Sequence, residues 1–236
     1  MRRIINGLFF LMICIKLDAQ LLEKPFIIEY KSGYLALTDS LQVKLLTKPK
    51  KYHPLKDYEI IVTGDIAFVN FIESARDKNA KKLGTNFRHD NVYSDFSQQK
   101  EYHQIQRHEL DNRRLLVERN FPELQFDLYQ DSVKILGYTC YKAMPARNNY
   151  FNAMVWYTPQ IPYPISKHGF TGLPGAILAM ESFSHGIRYV SIASSIRPES
   201  RIPKKPTKGY PISGKEYVEM MNKAIPENVR AAFTNQ

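Results

Sequence analysis

The chain of 236 residues carries 33 Lys and Arg against 23 Asp and Glu, which gives a formal net charge of +10. A hydrophobic content of 44% excludes a wholly disordered protein, and this length favours one domain over two. Fifteen tyrosines and thirteen phenylalanines against one tryptophan favour half-buried sheet faces, and therefore a globular, β-rich protein.

The first nineteen residues have the pattern of a secretory signal peptide. Arg2 and Arg3 form a charged start, residues 4–15 are apolar, and Ala19 offers a small residue for cleavage. The apolar run is shorter than the roughly 20 residues that a membrane span requires. We therefore expect a signal peptide at 1–19 and a single exported domain at 20–236, located in the periplasm or at the cell surface.

Apolar and β-branched runs predict strands through the N-terminal half. An early strand is expected at residues 26–30, and the runs at 58–62 and 66–71 flank a turn-like spacer and predict a hairpin. Between residues 97 and 119 the many Gln, Glu, Lys and Arg side chains favour helix, but the apolar residues do not follow the helical period. We expect a short strand near 115–117 there, with an irregular lead-in.

The second half has a clearer alternating pattern. The expected elements are a strand at 126–129, a turn at 130–132, a strand at 133–143 with a bulge at Gly137, and strands at 151–157, 176–182 and 187–192. Strands joined by short turns predict an antiparallel meander. The fold class is therefore mainly β (α+β), with a single curved antiparallel sheet, or half-barrel, and a short C-terminal helix.

The C-terminal tail, residues 196–236, has a different composition. Its proline-rich part, 198–211, predicts an extended segment. Ser213 with Glu216 forms a capping box that should begin a helix at 214–222, and a second helical piece is expected at 227–233.

The sequence Gly172-Leu173-Pro174-Gly175 predicts a rigid loop that enters a buried strand. Pro174 fixes φ and removes a donor, while the two glycines permit backbone angles that other residues avoid. Such a loop can line a ligand pocket or dock a partner. It can also simply turn the chain into the next strand and pack against Trp156, and we favour this structural role because glycine and proline bring no reactive group.

Three blocks resemble the GLPGLI family, exported proteins of Bacteroidetes. They are Ile-Leu-Gly-Tyr-Thr-Cys-Tyr-Lys-Ala at 135–143, Trp-Tyr-Thr-Pro-Gln-Ile-Pro at 156–162 and Gly-Leu-Pro-Gly-Ala-Ile-Leu at 172–178. The resemblance covers residues 112–195. Ala176 replaces the leucine of the family name, and residues 166–170 lack the Gly-Pro pair that members often carry. The resemblance supplies no catalytic residues. The strand order is also similar to that of the half-barrels of periplasmic lipoprotein carriers.

These features predict a non-enzymatic envelope protein with a binding site at the loop of residues 172–175, which we call the motif loop. The expected ligand is an apolar or lipid molecule, or the partner is an outer-membrane protein, and no catalytic residue, cofactor or metal is predicted. The residues assigned to the site are Trp156, Tyr157, Pro162, Phe170, Gly172, Leu173, Pro174 and Gly175.

The surplus of positive charge is concentrated in two basic clusters. They are compatible with peripheral contact with anionic lipid, but solvated loop charge is the explanation that we favour. Nucleic acid is not expected, because no recognisable binding motif is present. The clusters are Lys44, Lys48, Lys50, Lys51 and Lys56, and Arg201, Lys204, Lys205 and Lys208.

The alternative is an envelope enzyme that uses Cys140 or a histidine-based metal site. Cys140 lies in a predicted strand, where a small core residue is the commoner role of a lone cysteine. The six histidines show no metal-binding spacing. Residues 209–216 nearly match a phosphate-binding loop, but Glu216 replaces the hydroxyl residue that would hold magnesium, and helix capping explains the same residues.

Overall fold

The computed structural model describes residues 24–36, 57–72, 91–107, 110–122, 124–146, 153–166, 171–184 and 187–224. These residues form twelve strands of one sheet and one helix. Their bounds are β1 Phe26–Ala36, β2 Tyr58–Thr63, β3 Ile66–Phe71, β4 Asn91–Asp95, β5 Lys100–Gln106, β6 Arg114–Asn120, β7 Phe126–Ile135, β8 Tyr138–Pro145, β9 Ala153–Thr158, β10 Ala176–Ser184, β11 Ile187–Pro198, β12 Tyr210–Ser213 and α1 Gly214–Ala224.

The sheet consists of two meanders joined by their first and last strands. The strand order is β12-β6-β5-β4-β3-β2-β1-β11-β10-β9-β8-β7. All neighbours are antiparallel except β12, which pairs parallel with β6. Eleven residues of β1 pair with β11, which joins the N-terminal and C-terminal halves of the chain. The predicted fold class, a mainly β protein with one curved sheet and a short C-terminal helix, is confirmed.

The main core covers one side of the central strands. Ile28 and Ile60 from β1 and β2 lie in the same cluster as Leu178 from β10. The segment 159–166, which follows β9, inserts Ile161 and Ile165 into this cluster, and both side chains are fully buried. This side of the sheet is thus packed with side chains from the chain itself.

The hairpin of β7 and β8 differs from its prediction. Strand β7 runs unbroken through residues 130–132, where a turn was expected, and the chain reverses instead at Leu136 and Gly137. Both residues have positive φ, 52° and 88°, as a two-residue type I′ turn requires. The predicted bulge at Gly137 is therefore wrong. The register irregularity in this hairpin lies between Leu128 and Ser132.

Other predicted elements agree with the structure to different degrees. The hairpin of β2 and β3 is confirmed, and β1 continues six residues beyond its predicted end. The irregular lead-in expected before residue 115 is wrong, because β5 occupies Lys100–Gln106 and pairs with β6. Helix α1 begins as predicted and ends at Ala224. The signal peptide, the basic cluster at 44–56 and the second helical piece lie outside the described residues.

An extended stretch, 199–209, links β11 near the middle of the sheet to β12 at its edge. We call it the crossing segment. Arg201 donates to Glu59 on β2 at 3.0 Å, and the ammonium group of Lys205 lies 3.5 Å from the ring centroid of Tyr102 on β5. Gln104 donates to the backbone oxygen of Lys208 at 2.8 Å. These contacts hold the segment across β2 to β5 and bring α1 against β6.

Within the described ranges, no helix has the length and apolar character needed to cross a membrane.

Candidate functional site

The motif loop is held by close backbone contacts at both glycines. A Cβ on Gly172, which has a φ of +102°, would lie 2.4 Å from the backbone oxygen of Leu124. A Cβ on Gly175 would lie 2.0 Å from the backbone oxygen of Thr158. Thr171 also donates its hydroxyl to the backbone oxygen of Pro122 at 2.7 Å. The fold therefore requires glycine at both positions, because the loop lies directly against neighbouring backbone.

The side chain of Leu173 packs the motif loop against the sheet. It is 4% exposed and lies in a separate small core with Val155, Tyr157 and Ile177. Trp156, the neighbour of Tyr157 on β9, packs against the main core instead. The loop thus packs against the Tyr157 side of β9, and the expected packing against Trp156 is wrong.

The predicted site residues divide between buried and exposed positions. Tyr157, Leu173 and Gly175 are buried, Trp156 is half-buried, and Phe170 lies outside the described residues. The exposed members are Pro162, Gly172 and Pro174. The structure brings Tyr157 and Leu173 together as packed core, which is the structural role favoured for this loop.

Cys140 has the environment of a core residue. Its side chain is fully buried, and its Sγ lies 3.7 Å from the backbone oxygen of Tyr138. Burial raises the pKa of the thiol to about 11, so the thiolate that a nucleophile needs is disfavoured near neutral pH. No group of three or more His, Cys, Asp or Glu side chains suited to a metal ion occurs within the part of the chain that the structure describes.

The hairpin of β7 and β8 presents an apolar surface at the edge of the sheet. Eight consecutive residues of β7 are exposed, and no described strand pairs with its outer side. We call this the β7–β8 surface. Its large apolar side chains, with their exposed fractions, are Leu128 at 60%, Tyr129 at 39%, Val133 at 41%, Leu136 at 44% and Tyr141 at 37%. The sequence predicted a shorter strand here, and therefore missed the length of this edge.

A polar cluster lies at the opposite end of the sheet, on β4 to β6. Glu101 has no exposed side-chain surface. Its Oε2 lies 3.0 Å from Nε2 of His103 and 2.9 Å and 2.8 Å from two nitrogens of Arg119. The hydroxyl of Ser94 lies 3.5 Å from the other oxygen. Burial raises the pKa of Glu101, but the His103 hydrogen bond and the Arg119 charge outweigh it and hold the pKa below its ordinary value.

This polar cluster forms one wall of a groove between α1 and strands β5 and β6. The groove has a volume of about 820 Å³ and is lined by side chains of both signs and by apolar groups. Its lining includes His103, Arg119 and Lys215, together with Ile105 and Tyr217. Sequence analysis missed this site, because its residues come from β5, which was predicted as irregular, from β6, of which only residues 115–117 were predicted, and from the distant tail. The only local signal was the helix cap at 213–216.

Comparison with solved structures finds similar folds at low sequence identity. PNGF-II, in the P21 crystal form, is 15% identical, with a TM-score of 0.56 over 85% of this chain and 34% of that one. Its C2 form gives 0.53 over 85% and 33%. A LolA superfamily protein from Nitrosomonas europaea is 10% identical, with a TM-score of 0.31 over 80% and 94% of the two chains.

This chain therefore spans about a third of the length of PNGF-II. At this identity the likeness to PNGF-II concerns the fold alone. No protein-family model matches the sequence, and no curated protein matches it either.

Proposed function

We propose that this chain is an exported, non-catalytic protein of the GLPGLI family that docks an outer-membrane protein through the β7–β8 surface. The three sequence blocks of residues 135–178 support the family, and the charged and apolar start of the sequence supports export. The observation that carries the docking proposal is the exposure of three large apolar side chains, Leu128, Tyr129 and Val133, on an unpaired edge strand.

An exposed edge strand is a ready template for strand addition. Its outer N–H and C=O groups accept a further strand, and alternate side chains then select the partner. Folded proteins normally protect such edges with charge, proline or short length. Strand β7 carries the charged Asp127, Asp131 and Lys134, but it is ten residues long and also exposes Leu128 and Val133. A β-rich membrane protein supplies extended segments of the matching kind.

The motif loop lies beside the start of β7, at one end of this surface. Gly172 lies against Leu124, and its nearest neighbours include the ring of Phe126, the first residue of β7. The loop therefore sets the position at which β7 begins. We assign partner contact to the exposed members of the predicted site, Gly172 among them, and a supporting role to the buried Tyr157 and Leu173.

The alternative that the curved sheet binds and carries an apolar ligand has less support than partner docking. Ile161 and Ile165 are fully buried in the main core, so an apolar ligand on that side of the sheet would first have to displace segment 159–166. An enzyme based on Cys140 also has less support, because the thiol is buried and its pKa is raised to about 11.

The test compares two exposed apolar positions. A photo-crosslinking residue at position 128 should capture an outer-membrane protein in the producing bacterium, and Leu128→Lys should reduce co-purification of that protein at least tenfold. The matched control is position 202, where Ile202 is 71% exposed on the crossing segment and should show neither effect. Cys140→Ala should bind the partner normally.

Equal capture at the two positions would refute the proposal, and so would a Leu128→Lys protein that keeps its partner. Crosslinks at position 128 that contain lipid alone would also refute it.

A further inference from the structure

The groove between α1 and strands β5 and β6 has features of a built binding site. Glu101 is a fully buried carboxylate, and burying a charge is costly unless fixed partners compensate. Here the partners are His103 and Arg119, both of which line the groove. We infer that this groove binds an amphiphilic anion, a compact anionic group attached to an apolar chain or ring.

Glu101 orients the imidazole of His103 and the guanidinium of Arg119. An ionised carboxylate only accepts hydrogen bonds, so Nε2 of His103 carries the proton and its Nδ1 faces away from Glu101. Arg119 uses its Nε and one terminal nitrogen for the carboxylate, which leaves its second terminal nitrogen outside that contact. The side chain of Arg119 is 40% exposed, so the guanidinium is held in place and still reachable from the groove.

Lys215 adds a further cation at the start of α1. The first backbone N–H groups of the helix are already engaged, because the Ser213 hydroxyl accepts from the Glu216 amide at 3.2 Å. Glu216 in turn accepts from the Ser213 amide at 2.7 Å. The positive character of this end therefore comes from side chains held by the fold, and the helix cap makes no direct contribution.

The acidic residues of the groove leave this positive character in place. Glu118 is ion-paired with Lys100, which lies two residues before the cross-strand partner of Glu118, Tyr102, on β5. Glu219 lies one turn further along α1 than Lys215. Arg107 also lines the groove. The carboxylates in or beside the groove are Glu101, Glu118 and Glu219, and the cations are Lys100, Arg107, Arg119 and Lys215. An anion placed between His103, Arg119 and Lys215 therefore meets an excess of one positive charge.

The remaining walls are apolar. Ile105 and Val117 are buried at the base, Tyr217 packs against them, and Val218 on α1 is 55% exposed. A volume of about 820 Å³ lies in the range of small-molecule sites, which are mostly apolar with a few placed polar groups. This combination selects an anionic head with an apolar tail over either part alone.

The experiment measures binding of four probes to the full chain by calorimetry below their micellar concentrations. Decanoate and decyl phosphate carry the two kinds of anionic head, decanol lacks the charge, and inorganic phosphate lacks the tail. We expect at least one of the two amphiphilic anions to bind at least tenfold more tightly than decanol and inorganic phosphate. The stronger of the two identifies the head group.

Charge reversal locates the site. Lys215→Glu should weaken binding of the preferred anion about fivefold, since one partly exposed ion pair contributes about 1 kcal/mol. Lys204→Glu makes the same change of charge on the crossing segment and should have no effect. A glutamate in the first turn of a helix is favourable, so the fold should tolerate Lys215→Glu.

Three results would each overturn the inference. They are binding of decanol as tight as that of the anions, equal weakening by the two charge reversals, and absence of binding of either anion up to millimolar concentration.

Discussion

At the scale of single residues, the two glycines of the motif loop matter because they carry no Cβ atom. Neither contributes a functional group, yet Gly172 and Gly175 each allow a backbone oxygen to lie where a Cβ would be. The loop can therefore lie flat against Leu124 and Thr158 while Leu173 fills the small core beneath it. A recognisable sequence motif here reflects tight chain packing.

Substitution of these glycines should be costly. Gly175→Ala would place a Cβ 2.0 Å from a backbone oxygen that cannot move alone, so we expect a loss of about 2–4 kcal/mol in the free energy of unfolding. Gly64→Ala is the control, because no atom lies within 4 Å of its Cβ and only its φ of +52° opposes alanine, at about 1 kcal/mol. Urea unfolding measures both. A Gly175→Ala protein as stable as Gly64→Ala would contradict the close approach.

Leu136 illustrates a residue that sequence reasoning could not place. It occupies a left-handed backbone position with a φ of 52°, where asparagine or glycine is usual and leucine is rare. Gln130, Asp131 and Ser132 look more like a turn, yet they belong to β7 because the strand absorbs its irregular register there. The turn preference of these residues is therefore outweighed by the pairing of β7 with β8 along the whole hairpin.

At the scale of elements, the ladder of β5 and β6 holds a buried charge cluster that makes its stability depend on pH. The folded pKa of Glu101 lies below its ordinary value of 4.5, so this residue stabilises the fold above that pH. The contribution is lost as pH falls through the folded pKa. We expect wild-type stability to decrease below about pH 4.5, in part through this residue.

Glu101→Gln removes the charge and keeps the shape. We expect it to cost about 2–4 kcal/mol at pH 7, because His103 and Arg119 lose their ionised partner in a buried setting. The difference between the two proteins should shrink as pH falls from 5 to 3. Asp127→Asn is the control, since that carboxylate lies at an exposed position of β7. Thermal unfolding across this range measures the effect, and a difference that does not vary with pH would contradict it.

Strand β5 shows why the prediction of strands from the sequence succeeded for other parts of the chain and failed here. The hairpin of β2 and β3 has two runs of apolar and β-branched residues and a glycine turn, and its bounds follow from these local signals. Strand β5 reads Lys-Glu-Tyr-His-Gln-Ile-Gln, which has too few apolar residues to show a period. It is a strand because Glu101 pairs with Arg119 on β6 and because Lys205 covers Tyr102. Neither partner is near in sequence.

At the scale of the whole molecule, the crossing segment returns the chain from the middle of the sheet to its far edge. The proline-rich composition predicted its extended form, whereas nothing local predicted the parallel pairing of β12 with β6. Contacts with Glu59, Tyr102 and Gln104 guide it across several strands. The groove exists only because this return places α1 beside β6, so the candidate site could not be derived from local pattern.

Stability should therefore fall from the centre of the sheet toward this edge. Strand β1 is paired along its whole length with β11, whereas β12 has four residues and α1 has no fully buried side chain. Amides of β12 and α1 should exchange with solvent hydrogen about 100-fold faster than those of β1 and β11, which corresponds to local opening about 2.7 kcal/mol below global unfolding. Tyr217→Ala, which removes an apolar contact beneath α1, should increase exchange in β12 and α1 and leave the β1 amides unchanged. Uniform protection across all four elements would instead mean that the sheet and its C-terminal helix unfold as one cooperative unit.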